Sequence, residues 1–264
     1  MTIESSGEAS VDQRQSRFGR LIERNDGRDF PFYDGRPVEI EAWKWLVMIA
    51  AALAGFAALV LNPFAGQWGQ LIGRILFVVI PLVTFIVLSK GYWRSIRRPL
   101  RGWDFVNMVV FWLLNLGVST VVALIVSGAD GGHLTANSAT DDLASQGAGA
   151  IAAFYLGTFV QLLGEELFTI LPFLAVMYLL YSKGRLSRKA ALVVAWIATA
   201  IWFGAAHLPT YGWNVLQALV VIGSARIVLS LAFIRTKNVL VSFGAHLLND
   251  WVTFTFALIV AAGR

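Results

Sequence analysis

From residue 43 to the C-terminus the chain is written in long apolar runs separated by short polar stretches, whereas residues 1–42 contain no such run. Seven runs come close to the roughly 20 residues needed to carry a helix across a bilayer. They span 43–61, 71–89, 105–127, 148–181, 190–206, 215–234 and 239–262. The fourth is long for one span, so Pro172 is expected either to kink it or to divide it and raise the count to eight. The pattern predicts an all-α, polytopic transmembrane bundle. Residues 1–42, rich in Gly, Ser and charged side chains, read as a flexible cytoplasmic tail, and Phe30-Pro31-Phe32-Tyr33 reads as part of a linker. The tail is too long and too acidic for the head of a cleaved signal peptide, so the first span is expected to be a retained signal anchor.

The polar stretches set an orientation. Lys90, Arg94, Arg97, Arg98 and Arg101 follow the second run; Lys183, Arg185, Arg188 and Lys189 follow the fourth; Arg235 and Lys237 follow the sixth. The stretches 62–70, 128–147 and 207–214 hold no Lys or Arg, and Asp130, Asp141 and Asp142 fall in the second of them. Basic and non-basic loops alternate, which predicts a cytoplasmic N-terminus and an external C-terminus.

Composition agrees. Hydrophobic residues make up 57% of the chain and charged residues 14%, with a mean hydropathy of +0.67. The net charge of +5 is accounted for by the basic loops, so no nucleic-acid partner is expected. The absence of cysteine excludes disulfides, thiolate metal sites and cysteine nucleophiles. Arginine outnumbers lysine 16 to 5, a bias that points to a bacterial source and its plasma membrane.

Few ionisable groups fall at bilayer depth: Glu165, Glu166, His207, Arg226, His246 and Asp250. All lie in the last four spans, so 43–144 reads as three scaffold spans and 145–264 as a four-span core. Arg74 and Asp104 fall near span ends, where a long side chain can snorkel to water. Glu165 and Glu166 stand about 100° apart on a helix, which gives them different neighbours. Phe203 and His207 share one helical face, as do His246 and Asp250, with Asn249 beside them. A carboxylate with two imidazoles can activate water as a general base, bind a metal, or stabilise an oxyanion. The same residues admit other uses. A Glu-Glu pair suits a proton-coupled transporter, a histidine at a helix end can be a cap, and His246 with Asp250 can simply tie helices together. Arg226 reads as a counter-ion to a buried acid.

In this order the residues resemble the CPBP family of intramembrane proteases, which includes type II CAAX prenyl proteases and Abi-type bacteriocin-processing proteins. Its three motifs correspond to Glu165-Glu166-Leu167-Phe168-Thr169-Ile170, Phe203-Gly204-Ala205-Ala206-His207 and His246-Leu247-Leu248-Asn249-Asp250. The resemblance covers about residues 145–260. It implies that Glu165 activates water, that Glu166 supports it, that His207 and His246 complete the site (with a divalent metal such as zinc if one is used), and that Asn249 or Asp250 orients it. The implied substrate is a secreted peptide or membrane-protein precursor, and the lipid bilayer is the other expected partner. Two positions depart from the pattern. Ile170 stands where the family carries an arginine, and Asp250 ends the third motif. Arg226, on a neighbouring span, is expected to replace the missing arginine beside Glu166; a member that had lost proteolysis would instead be an immunity or regulatory partner. Counted by helical rise, His246 lies about 13 Å from the basic loops, and Glu165 and His207 roughly 25 Å, so a shared site requires tilted or unequal spans.

Overall fold

A computed structural model describes residues 15–262 apart from Asp130, Gly132, Asp141 and Asp142. The first 14 residues of the expected tail and the three aspartates of the 128–147 stretch thus lie outside the described residues. Seven helices are long and apolar enough to cross a membrane: α1 (Ala42–Val60), α2 (Gly66–Leu88), α3 (Gly102–Ala129), α4 (Ala148–Tyr178), α5 (Arg188–Ala206), α6 (Gln217–Thr236) and α7 (Val239–Ala262). Among the described residues there is no strand.

α4 is the axis of the bundle. It packs against α1, α2, α5 and α7, while α3 closes the far side against α6 and α7. α4 is buried over most of its length, whereas α1, α2 and α3 present exposed Leu, Ile and Val side chains such as Leu53, Val79 and Leu113. An apolar surface of that extent is what a helix shows to lipid. Pro172 does not divide the fourth span: α4 runs through it unbroken and continues in a π-helical turn over Leu179–Lys183. Among the described residues the count is therefore seven. At the α5–α6 crossing, a Cβ on Gly204 would stand 2.5 Å from the carbonyl oxygen of Ala218. Glycine there lets the backbones of the two helices meet.

The polar N-terminal segment departs from expectation. From Arg17 to Glu41 it is built into the protein beneath the basic end of the bundle. Phe30, Phe32, Tyr33 and Ile40 are buried. The Phe30 ring lies 5.6 Å from Phe173 and 6.0 Å from Phe233, Phe32 packs on Phe85 and Trp45, and Tyr33 packs on Tyr181 at 4.8 Å. Removing such a ring from water contributes roughly 2 kcal/mol, so four buried apolar side chains anchor a segment whose average composition is polar. Charge pairing adds to this. Arg188, fully buried at the start of α5, holds Glu23 through Nη1 at 2.9 Å and Nη2 at 2.5 Å, and donates to Asp29 from Nε at 3.0 Å. Lys237 Nζ reaches Glu23 Oε2 at 2.7 Å, and Arg24 Nη1 reaches Asp104 at 2.8 Å. Burial disfavours ionisation of Glu23, but Arg188 and Lys237 outweigh it and hold the carboxyl down at about 2.

Candidate active site

Glu165 and Glu166 occupy the middle of α4, and their angular separation gives them different surroundings. Glu166 is fully buried and turns toward α6 and α7. Arg226 Nη1 donates to its Oε1 at 2.7 Å, and His246 Nδ1 donates to the same oxygen at 3.1 Å. Arg226 is itself fully buried, with Nε on Ser230 Oγ at 3.3 Å and the guanidinium 4.9 Å above the Phe203 ring. The expected replacement for the arginine missing at Ile170 is thus made by contact, from a different helix.

Glu165 faces a cavity of about 660 Å³ whose wall also includes Arg74, Phe203, His207, His246 and Asp250. Its Oε1 accepts from Gln161 Nε2 at 2.9 Å, one helical turn earlier. Its Oε2 stands 3.7 Å from His246 Nε2, and Asp250 Oδ1 stands 3.8 Å from the same nitrogen. His246 is therefore clamped: Nδ1 is committed to Glu166, while Nε2 faces two carboxylates at the cavity wall. Phe203 is the common floor. Its ring lies 4.5 Å from that of His207 and 6.2 Å from that of His246.

His207 caps the C-terminus of α5, and its Nδ1 donates to the Phe203 carbonyl at 2.8 Å. A carbonyl only accepts, so Nδ1 carries the proton, and in the neutral ring Nε2 keeps its lone pair. Tyr211 stacks on His207 with ring centroids 6.5 Å apart. Burial, and then the negative Asp250 and Glu165, push the Tyr211 phenol up to about 12, so it stays a donor at neutral pH. Asn249 contributes through a relay. Asn115 Nδ2 donates to Asn249 Oδ1 at 2.9 Å, and Asn249 Nδ2 donates to Asp250 Oδ1 at 3.0 Å. The loop between α3 and α4 covers the cavity, with Ala136, Asn137 and Thr140 in its wall. Gln217 fixes that loop by pairing with both the N–H and the carbonyl of Thr135, each at 2.8 Å.

All eight residues expected at the site thus meet around Glu165 and Glu166, directly or through Asn249. The difference in helical rise does not keep these groups apart: Glu165 Oε2 and His246 Nε2 approach to 3.7 Å, and the N-terminal segment packs on α4 at Phe173 and on α5 at Arg188. The scaffold reading of the first three spans needs correction. Arg74 on α2 does not snorkel; it is buried at the cavity wall, and among the described residues its Nη1 has no hydrogen-bond partner. A Cβ on Gly157 would stand 1.9 Å from that Nη1, so the guanidinium lies directly against the α4 backbone. Asn115 on α3 was likewise not expected. Both had a sequence signal, a polar residue inside an apolar run, but no motif to assign them a partner.

The expected metal pair, His207 and His246, requires further donors. Among the described residues no group of three His, Cys, Asp or Glu side chains is arranged to hold one ion. Glu166 Oε1 and His246 Nδ1 are already engaged with each other and with Arg226. As the described side chains are placed, no three such donors converge on one point.

Residues 147–252 match the family model described as type II CAAX prenyl endopeptidase Rce1-like. That stretch runs from the start of α4 into α7 and contains all three glutamate and histidine motifs. No curated protein and no solved structure matches the chain significantly.

Proposed function

We propose, from the match of residues 147–252 to the Rce1-like family model of type II CAAX prenyl endopeptidases, that this multi-pass membrane protein is an intramembrane endopeptidase with Glu165 as its general base. The observation that carries the reading is the position of Glu165. It is a nearly buried carboxylate on the wall of a roofed cavity, 3.7 Å from His246 Nε2. Glu165 takes a proton from water, and the resulting hydroxyl oxygen adds to the scissile carbonyl. The oxyanion is stabilised by the Tyr211 hydroxyl, which His207 positions by stacking, and by the positive field of Arg74. The peptide C–N bond then breaks, and the amine leaves with the proton held by Glu165.

Glu166 touches no reacting atom in this scheme. With Arg226 it fixes the position of His246, which in turn faces Glu165. No step passes through a metal. The substrate class is a peptide or membrane-protein precursor entering from the bilayer, and a prenylated C-terminus is not required. The basic loops favour a cytoplasmic N-terminus and an external C-terminus in a bacterial plasma membrane. The test is cleavage of a peptide library by the purified protein with and without chelator. Cleavage unaffected by chelator is expected; cleavage abolished by it would overturn the metal-free scheme.

A further inference from the structure

A second cavity, of about 610 Å³, lies at the opposite end from the lid loop, between the N-terminal segment and the turn joining α2 to α3. Its wall carries Arg28, Arg94, Arg97, Arg98 and Lys237 against a single carboxylate, Asp29. That carboxylate is already committed, since Arg188 reaches it through Nε and Nη2 and Tyr33 Oη donates to it at 2.9 Å. Lys237 is likewise taken up by Glu23, and Arg28 lies 3.6 Å from Asp26. Arg94 and Arg97 have no carboxylate partner among the described residues; each lies over the Trp93 ring, at 5.4 and 5.1 Å. Among the described residues, two buried guanidinium nitrogens here, Arg97 Nε and Arg98 Nη1, make no hydrogen bond. Arg98 Nη1 stands 3.9 Å from Asp26, beyond hydrogen-bond reach.

Buried guanidinium N–H groups without acceptors call for an anion offering several oxygens, and phosphate matches them best. The position of the cavity narrows the source. Trp43 begins α1, Trp103 begins α3, and Tyr92 sits in the turn; all three are largely exposed at this same end of the bundle. Exposed aromatic side chains at the ends of spanning helices mark the headgroup level of a bilayer. We infer that this cavity binds the phosphate of an anionic phospholipid headgroup, with Arg94 and Arg97 as its principal donors. The bound lipid bridges the α2–α3 turn to the N-terminal segment at Arg28. The site is separate from the Glu165 cavity, and its occupation requires no proteolytic activity.

The full-length protein, stripped of lipid in detergent, is titrated with phosphatidylglycerol, phosphatidylcholine or inorganic phosphate and followed by native mass spectrometry. Phosphatidylglycerol is expected to bind in preference to phosphatidylcholine, and the Arg94→Gln/Arg97→Gln variant is expected to lose about fivefold in that affinity per arginine removed. The variant's unfolding midpoint in lipid-free detergent should match the parent, and Arg185→Gln, a basic-loop change outside the cavity, should bind as the parent does. Equal binding of the two lipids, or undiminished phosphatidylglycerol binding by the double variant, would overturn the inference. Tight binding of inorganic phosphate without lipid preference would overturn the headgroup assignment in favour of a soluble anion.

Discussion

Arg226 Nη1 lies 2.7 Å from Glu166 Oε1, and neither side chain has any exposed surface. The pair joins α4 to α6, and the same carboxylate oxygen accepts from His246 on α7. Breaking a buried pair strands one charge, at a cost of about 3–5 kcal/mol. Arg226→Ala should therefore lower the unfolding midpoint in detergent sharply, and the double variant Arg226→Leu/Glu166→Leu should recover much of the loss. Parental stability in Arg226→Ala would show that Glu166 does not depend on this partner.

Among the described residues, Arg74 is a cation of the reaction cavity whose Nη1 has no hydrogen-bond partner. Arg74→Gln should leave the unfolding midpoint near that of the parent and reduce kcat/KM on the order of a hundredfold, the range for loss of one group that stabilises an oxyanion. Gly157→Ala should displace the guanidinium and approach the same loss. Combining the two should add little, because they act on one interaction. Additive losses would separate Gly157 from Arg74.

Glu23 gives the N-terminal segment a pH dependence. Its carboxyl lies at about 2 in the folded protein against 4.5 when free. A depressed carboxyl stabilises the fold above the free value, and that contribution is lost as pH falls from 4.5 toward 2. Hydrogen exchange across residues 17–41 should accelerate in that window. Glu23→Gln should show fast exchange already at neutral pH and lose this pH dependence. A segment that stays protected at pH 2 would contradict the role of the Arg188 and Lys237 contacts.

Gln217 should control the roof of the cavity. Gln217→Ala removes both hydrogen bonds to Thr135, so exchange in residues 133–140 should rise while the transmembrane helices remain protected. An unchanged loop would mean that Asn214, which donates to the His133 carbonyl, suffices to hold it.

The helices were legible because hydropathy is a one-dimensional signal, and six apolar runs ended within a few residues of the structural boundaries. The core of the site was legible because Glu165, Glu166, His207 and His246 are costly at bilayer depth and so stand out. Arg226 could be paired with Glu166 once Ile170 left that glutamate without a partner in its own motif. Other features depend on contacts between distant parts of the chain, which composition averages away. Phe30 and Phe32 are apolar islands in a polar segment, and their burial depends on Phe173, Phe85 and Phe233 far along the chain. Arg74 seemed able to reach water because position along a span reveals nothing about the face a side chain takes. Asn115 finds its partner 134 residues away.

The most direct test of the account is the rate of peptide cleavage by the purified protein and by Glu165→Gln under one set of conditions. Amide for carboxylate keeps the side chain's shape and can keep its contact with Gln161, but cannot take a proton from water. The account predicts cleavage by the parent and a loss of roughly a thousandfold in the variant, within the range for removing a general base, at equal expression and unfolding midpoint. Cleavage by Glu165→Gln at the parental rate would contradict it.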